Sequence, residues 1–180
     1  EADGHKKRLL KHAKQSANSI TSAMSYPSIR FIDALLSWFW KRVYDGIDLY
    51  NLSRTFELTK THTVIYAPSH KSHVDYLVLS HALFHKGLML PLVAAGNNLD
   101  MPIIGPLLRR GGAFFLRRSF RDDAIYQTVF SEYLYRIFRE GHSVEYFIEG
   151  GRSRTGKLRR PSMGMLSMSV ESQNRDLRRP

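Results

Sequence analysis

The sequence has 180 residues, enough for one domain with a sizeable core. It contains no cysteine, which excludes thiol catalysis, disulfides and zinc–thiolate sites. Lysine and arginine outnumber the acids 27 to 16, a formal charge of +11 that favours an anionic partner: nucleic acid, an anionic membrane surface or a phosphorylated small molecule.

The most apolar stretch, "YLVLSHALFHKGLMLPLVAAG", is broken by His81, His85 and Lys86, so no transmembrane span is expected. The first 30 residues lack the apolar run and cleavage pattern of a signal peptide. A start at Glu1 and an end at "DLRRP" lead us to expect a piece of a longer protein. No internal repeat or low-complexity linker is visible.

Residues 5–24 read as a helix, with Leu9, Leu10, Ala13, Ala17, Ile20 and Met24 near helical spacing. Pro27 opens a second helix over 27–50. Ile32, Leu35, Leu36, Phe39, Val43 and Ile47 form its stripe, widened by Trp38 and Trp40. That stripe reads either as core packing or as an interfacial membrane element, because tryptophan suits the headgroup region.

From residue 62 onward strands and helices alternate. "HTVIYA" (62–67) predicts a strand and 73–85 a helix; 88–95 predicts a buried strand despite Pro91. Loop and short helix fill 97–110, and "GAFFLR" (112–117) is a short strand. Residues 122–140 form a helix with acids in its first turn and Ile125, Val129, Tyr133, Ile137 and Phe138 on one face. "SVEYFI" (143–148) is a strand, and a last helix covers 163–173. The alternation argues for an α/β fold, a mostly parallel sheet flanked by helices. We expect an N-terminal helical segment over 1–55 and an α/β core over 56–180.

Three segments could carry chemistry. In "SHKSHVDY" (69–76), His70 follows a strand and Asp75 opens the next helix, which places both at the carboxyl edge of the sheet, where open α/β folds bind ligands. A carboxylate that fixes one imidazole nitrogen makes the other a general base. The same residues also read as a helix cap, with Ser72 and Asp75 in the positions of a capping box. A metal reading rests on the His73-Val-Asp75 spacing with His142 as the further donor, but residues two apart on a helix point to different faces.

The second segment, "EGGRSRTGKL" (149–158), nearly spells a phosphate-binding loop. It fails at Leu158, where Ser or Thr should meet magnesium, and at Pro161. What remains is a Gly-rich loop with Arg152, Arg154 and Lys157, which is good chemistry for a phosphate. In the third, "RRGGAFFLRRSF" (109–120), Gly111 and Gly112 permit close backbone approach and arginine pairs flank an aromatic strand. It reads as a solvated basic edge, or, with the second segment, as one of two arginine clusters facing one anion.

In this order the segments resemble the glycerol-3-phosphate acyltransferase family. "HKSHVD" matches its H-x4-D box (His70, Asp75). "GAFFLRR" matches the second box (Gly112, Phe115, Arg118), and "FIEGGRS" the third (Phe147, Glu149, Gly150, Arg152, Ser153). The wording between the boxes is similar to the bacterial membrane-bound branch that uses acyl-coenzyme A or acyl-carrier protein, and the likeness runs from about residue 28 to about 172. The family's fourth box is absent.

The resemblance implies that His70, oriented by Asp75, deprotonates the 1-hydroxyl of glycerol 3-phosphate as it attacks an acyl thioester. Arg118 and Arg152, with Ser153 and the amides near Gly150, would hold the phosphate. Gly112 and Phe115 come along as substrate-site positions, Glu149 would order the site, and His73 would be structural. No cofactor or metal is implied beyond the acyl donor. The expected partners are glycerol 3-phosphate, the donor and an anionic membrane surface at the cytoplasmic face of a bacterial inner membrane. Dihydroxyacetone phosphate and lysophosphatidate are the alternative acceptors. A basic nucleic-acid-binding module is the rival from another class, but it needs aromatics interleaved with basic residues on an exposed face. Here most aromatics fall on apolar stripes, so no nucleic acid is expected.

Overall fold

The computed structural model describes residues 2–72, 74–120 and 122–175. Its elements run α1 (Ala2–Ile20), α2 (Tyr26–Val43), α3 (Leu52–Thr61), β1 (Ile65–Tyr66), α4 (Asp75–His85), β2 (Leu92–Gly96), α5 (Ile104–Arg110), β3 (Ala113–Leu116), α6 (Ala124–Arg139), β4 (Val144–Glu145) and α7 (Met163–Gln173). The four strands form one parallel sheet in the order β1-β4-β2-β3. Seven helices flank it among the described residues, so the expected α/β class holds.

Parallel order forces every strand to be followed by a crossover, and so every strand's carboxyl end opens to the same edge. His70 lies beyond β1, Gly96 ends β2, Arg117 and Arg118 follow β3, and the loop 147–159 follows β4. That shared edge is what gathers the site. The formal strands are short, but the ladder extends past them: Val144 N donates to Val64 O at 3.1 Å, Tyr146 N to Tyr66 O at 3.0 Å, and Leu92 N to Ser143 O at 2.8 Å. Pro91 precedes β2 and so leaves the ladder intact.

One face of the sheet is covered by a core in which Leu92, Phe114, Val144 and Tyr146 meet Ile20 of α1 and Tyr126, Phe130, Leu134, Ile137 and Phe138 of α6, with Met165 and Met168 of α7 against them. Of the expected α6 face, Ile137 and Phe138 are in the core, but in its first turns the buried row is offset by one residue. Ile125, Val129 and Tyr133 are only half-buried, while Tyr126 and Phe130 point inward and stack with centroids 6.3 Å apart. Large rings carry the greatest apolar area to bury, which favours turning Tyr126 and Phe130 toward the sheet. Asp123 caps α6 by accepting from Tyr126 N at 3.0 Å.

Helix α2 stops at Val43 instead of running to residue 50, and a separate helix, α3, follows that the spacing had not indicated. Its inward face is Ile29, Ile32, Asp33, Leu36 and Trp40, which packs toward α4 and α5. The expected stripe divides: Leu35, Phe39 and Val43 are exposed, and Trp38 is 58% exposed where Trp40 is buried. In α1, Leu9 and Leu10 are also exposed, and Ser16 and Ile20 make the buried contacts.

Candidate active site

His70 and Asp75 form a pair. His70 Nδ1 lies 3.1 Å from Asp75 Oδ2, and an acceptor-only carboxylate requires that Nδ1 carry the hydrogen. The same oxygen accepts from Lys71 N and Ser72 N, both at 2.8 Å. Holding the ring and closing the loop are therefore not alternatives, because one carboxylate at the start of α4 does both. Burial pushes the Asp75 carboxyl upward, but the Ser72 amide, the His70 ring and the Lys71 amide outweigh it and hold the group below its ordinary range. The imidazole stacks on Phe147 with centroids 4.0 Å apart and planes inclined by 22°.

Glu149 ties this loop to the one after β4. It is buried, and it accepts from His70 N at 3.2 Å and from Arg159 N at 2.9 Å. The backbone adds a second tie, Ser153 N to His70 O at 2.7 Å. The Ser153 hydroxyl is buried and donates to Lys157 O at 2.6 Å, so it fastens the loop on itself. Gly150 makes the turn with φ at +63°, a left-handed value that suits glycine.

A cleft of about 1620 Å³ opens over the sheet edge. His70, Arg118, Gly150, Arg152, Arg154 and Arg159 line its polar end, and Ile32, Leu36, Leu77, Phe84, Leu90 and Leu108 line its apolar wall. The arginines do not all serve it. Arg109 pairs with Asp100 at 2.6 Å, holds Thr21 O and Ser19 O, and stacks on Phe115 at 4.5 Å. Arg117 pairs with Asp123 at 3.0 Å and lies over Tyr126. Of the cluster at 109–120, Arg118 and Arg117 both line the cleft, Arg117 while paired with Asp123, and Arg109 fastens the fold.

The structure brings together His70, Asp75, Arg118, Glu149, Gly150, Arg152 and Ser153. It leaves Gly112 and Phe115 apart. Gly112 precedes β3, at the opposite edge of the sheet, with φ at +109°, and a Cβ there would meet Met24 Cε at 2.5 Å. Phe115 is buried and does not line the cleft. His73 lies outside the described residues. His142, the other half of the metal reading, precedes β4, again at the far edge, 3.6 Å from Glu140.

Two residues outside the motifs bear on the site, Arg159 in the cleft and Glu145 beneath Asp75's charge. Arg159 reaches the cleft because its amide is held by Glu149. Glu145 lies on β4, facing opposite to Val144 and Tyr146 by strand alternation, and it is fully buried with neither carboxylate oxygen hydrogen-bonded among the described residues. Burial, and then the negative charge of Asp75, push its carboxyl up to about 8. An isolated Glu in a predicted strand reads as an ordinary solvent-facing residue, so only the three-dimensional environment reveals it.

A family model described as "Acyltransferase" matches residues 50–177. The chain is 51% identical over 168 residues to a protein of Pseudomonas aeruginosa named glycerol-3-phosphate acyltransferase, covering 93% of this chain and 20% of that one. A protein of the same name from Ectopseudomonas mendocina is 50% identical over 183 residues, covering 100% of this chain and 22% of the relative. The chain thus spans about a fifth of the length of these curated relatives. With that match laid over a parallel sheet whose carboxyl edge holds the His70–Asp75 pair, the chain belongs to the acyltransferase family.

Proposed function

We propose that the chain is the catalytic core of an enzyme that moves a fatty acyl group from acyl-coenzyme A or acyl-carrier protein to the 1-hydroxyl of sn-glycerol 3-phosphate, giving lysophosphatidate. The observation that carries this reading is the His70–Asp75 pair at 3.1 Å, opening on a cleft that Arg118 and Arg152 also line. The names of the relatives supply the acceptor and the class of reaction.

The steps follow from the chemistry of these groups. Arg118 and Arg152 bind the phosphate through charge-assisted hydrogen bonds and bring the 1-hydroxyl to His70. Nε2 takes the hydroxyl proton as the oxygen attacks the thioester carbonyl, and Asp75 stabilises the imidazolium that forms. The tetrahedral intermediate collapses, the C–S bond breaks, and the departing thiolate receives the proton from Nε2. No acyl-enzyme is needed, since the nucleophile belongs to the substrate. A cleft of about 1620 Å³ exceeds the roughly 300–1,000 Å³ of an ordinary small-ligand site and suits two substrates, one with a long apolar chain.

No helix among the described residues is long and apolar enough to cross a membrane. We place the protein peripherally at the cytoplasmic face of a bacterial inner membrane, with the exposed side of α2 toward an anionic surface. The test is acyl transfer from palmitoyl-coenzyme A to glycerol 3-phosphate by the full-length parent protein and its His70→Ala form. Transfer that disappears with His70 supports the assignment. An active His70→Ala protein would remove the proposed base.

A further inference from the structure

We propose that Asp33, His81 and His85 form a binding site for a divalent transition-metal ion of the zinc class, joining α2 to α4 beside the cleft. His81 and His85 stand four residues apart on α4 and so share one face, with ring centroids 4.3 Å apart. His81 Nδ1 and His85 Nε2 converge on one oxygen of Asp33, at 2.9 and 3.0 Å. The three ligand atoms all lie within 4.8 Å of one another. A tetrahedral ion with bonds of about 2.0–2.2 Å holds its ligand atoms roughly 3.3–3.6 Å apart, so the two nitrogen–oxygen separations must open by a few tenths of an ångström and the two nitrogens settle to the same spacing from within 4.8 Å.

The donor set selects the ion. Two imidazoles with one carboxylate suit zinc, copper or nickel, whereas magnesium and calcium prefer oxygen alone. Three protein ligands leave a fourth position, and the burial pattern says where it opens. Asp33 and His81 are 16% and 12% exposed, while His85 is 52% exposed, so the open position faces outward past His85. Ser37 Oγ, 3.4 Å from His85 Nε2, stands where it would hydrogen-bond a water in that position.

Without an ion, two imidazole N–H groups would both donate to Asp33, a plain hydrogen-bonded clamp. An ion requires lone pairs on the same nitrogens, so the two arrangements are distinguishable. The location gives the ion a structural effect. Helix α2 is held by its contacts with α4 and α5 and leaves its outer side apolar and exposed. Asp33 itself lines the cleft, and α4 begins at Asp75, so an ion here would fix the wall beside the site. The inference does not depend on acyl transfer.

The experiment is titration of the chelator-stripped protein with cobalt(II), followed by its visible absorption, then displacement by zinc(II). The expected result is one equivalent of cobalt with an intense tetrahedral spectrum, displaced by zinc. His85→Asn and His81→Ala should each weaken binding at least tenfold, and His142→Ala should leave it unchanged. Because His85 is half exposed, His85→Asn should fold, which circular dichroism checks. Zinc should raise the Tm of the parent protein and not that of His85→Asn. Weak octahedral absorption, or binding that survives both histidine substitutions, would overturn the proposal and leave the hydrogen-bonded clamp.

Discussion

Glu145 is buried beside Asp75, and the two carboxyls are driven in opposite directions. Asp75 is held down by two amides and an imidazole, while Glu145 is raised to about 8 by burial and by the charge of Asp75. At neutral pH one is ionised and the other is mostly a neutral acid, the usual sign that a pair of carboxyls has been given separate tasks. Among the described residues neither oxygen of Glu145 has a hydrogen-bond partner.

This makes stability depend on pH with a definite sign. Below the ordinary value of 4.5 both the folded and unfolded chains hold the Glu145 proton. Between 4.5 and about 8 the unfolded chain releases it first, so the folded state loses stability as pH rises; above about 8 the loss is complete. The shift corresponds to at most roughly 5 kcal/mol, at about 1.4 kcal/mol per pH unit. Glu145→Gln should flatten the decline in Tm between pH 5 and 8. A parallel decline in the variant would show that other groups cause it.

Asp75→Asn should lower turnover by about 10²–10⁴-fold, because an amide cannot fix the Nδ1–H tautomer or stabilise an imidazolium. It should also loosen the loop, since Oδ2 holds the amides of Lys71 and Ser72. The two effects separate in the assay. Loss of kcat with an unchanged acceptor KM reports the base, and a raised KM with a lower Tm reports the loop.

Arg118→Ala and Arg152→Ala should raise the KM for glycerol 3-phosphate by roughly 10–100-fold each, as expected for one charge-assisted hydrogen bond of about 1.5–3 kcal/mol. Arg117→Ala should raise that KM less than either and lower stability as well, because Arg117 lines the cleft but is already paired with Asp123 and stacked on Tyr126. Steady-state kinetics on the three variants decide it. Equal effects of Arg117 and Arg118 would mean that the division between them is wrong.

Much of this was legible in the sequence. His70 and Asp75, the loop 149–153 and the alternation of strands and helices all show in local spacing, because a strand-to-helix turn is a local event. What escaped depends on tertiary contacts. The α6 face is set by which rings fit the sheet, and α2 turns its Asp33 inward because two histidines on α4 receive it. His81 and His85 read in the sequence only as breaks in an apolar stretch, and the residue that joins them, Asp33, is 48 residues away from the nearer of them. Gly112 and Phe115 were placed at the substrate site because they match the second box of the family that the sequence resembles. Strand β3 carries Gly112 to one edge of the sheet and Arg118 to the other, with Phe115 buried within the strand.

That separation is testable through Gly112→Ala. The substitution forces a residue with a Cβ into φ near +109° and against Met24, which should cost about 1–3 kcal/mol of stability. For a chain of this length each kcal/mol lowers Tm by about 2–4 °C. The acceptor KM, measured well below the Tm, should stay within about twofold of the parent value. A large rise in KM without loss of stability would return Gly112 to the substrate site.

The exposed side of α2 carries the last prediction. Phe31, Leu35, Trp38, Phe39, Val43 and Tyr44 are all exposed, and Arg42 stacks over Trp38 at 5.5 Å. Lys41 and Arg42 occupy the helix's last turn, which places cations beside an apolar face as an interfacial helix requires. The full-length parent protein should therefore co-sediment with vesicles rich in anionic lipid, less with neutral ones, and less again at high salt, where surface charge is screened. Trp38→Ser together with Arg42→Gln should weaken vesicle binding several-fold while the His70 loop and its chemistry stay intact. Unchanged binding in the double variant would move the membrane contact off α2. A parent protein that stays fully soluble beside anionic vesicles at low salt would remove the peripheral placement itself.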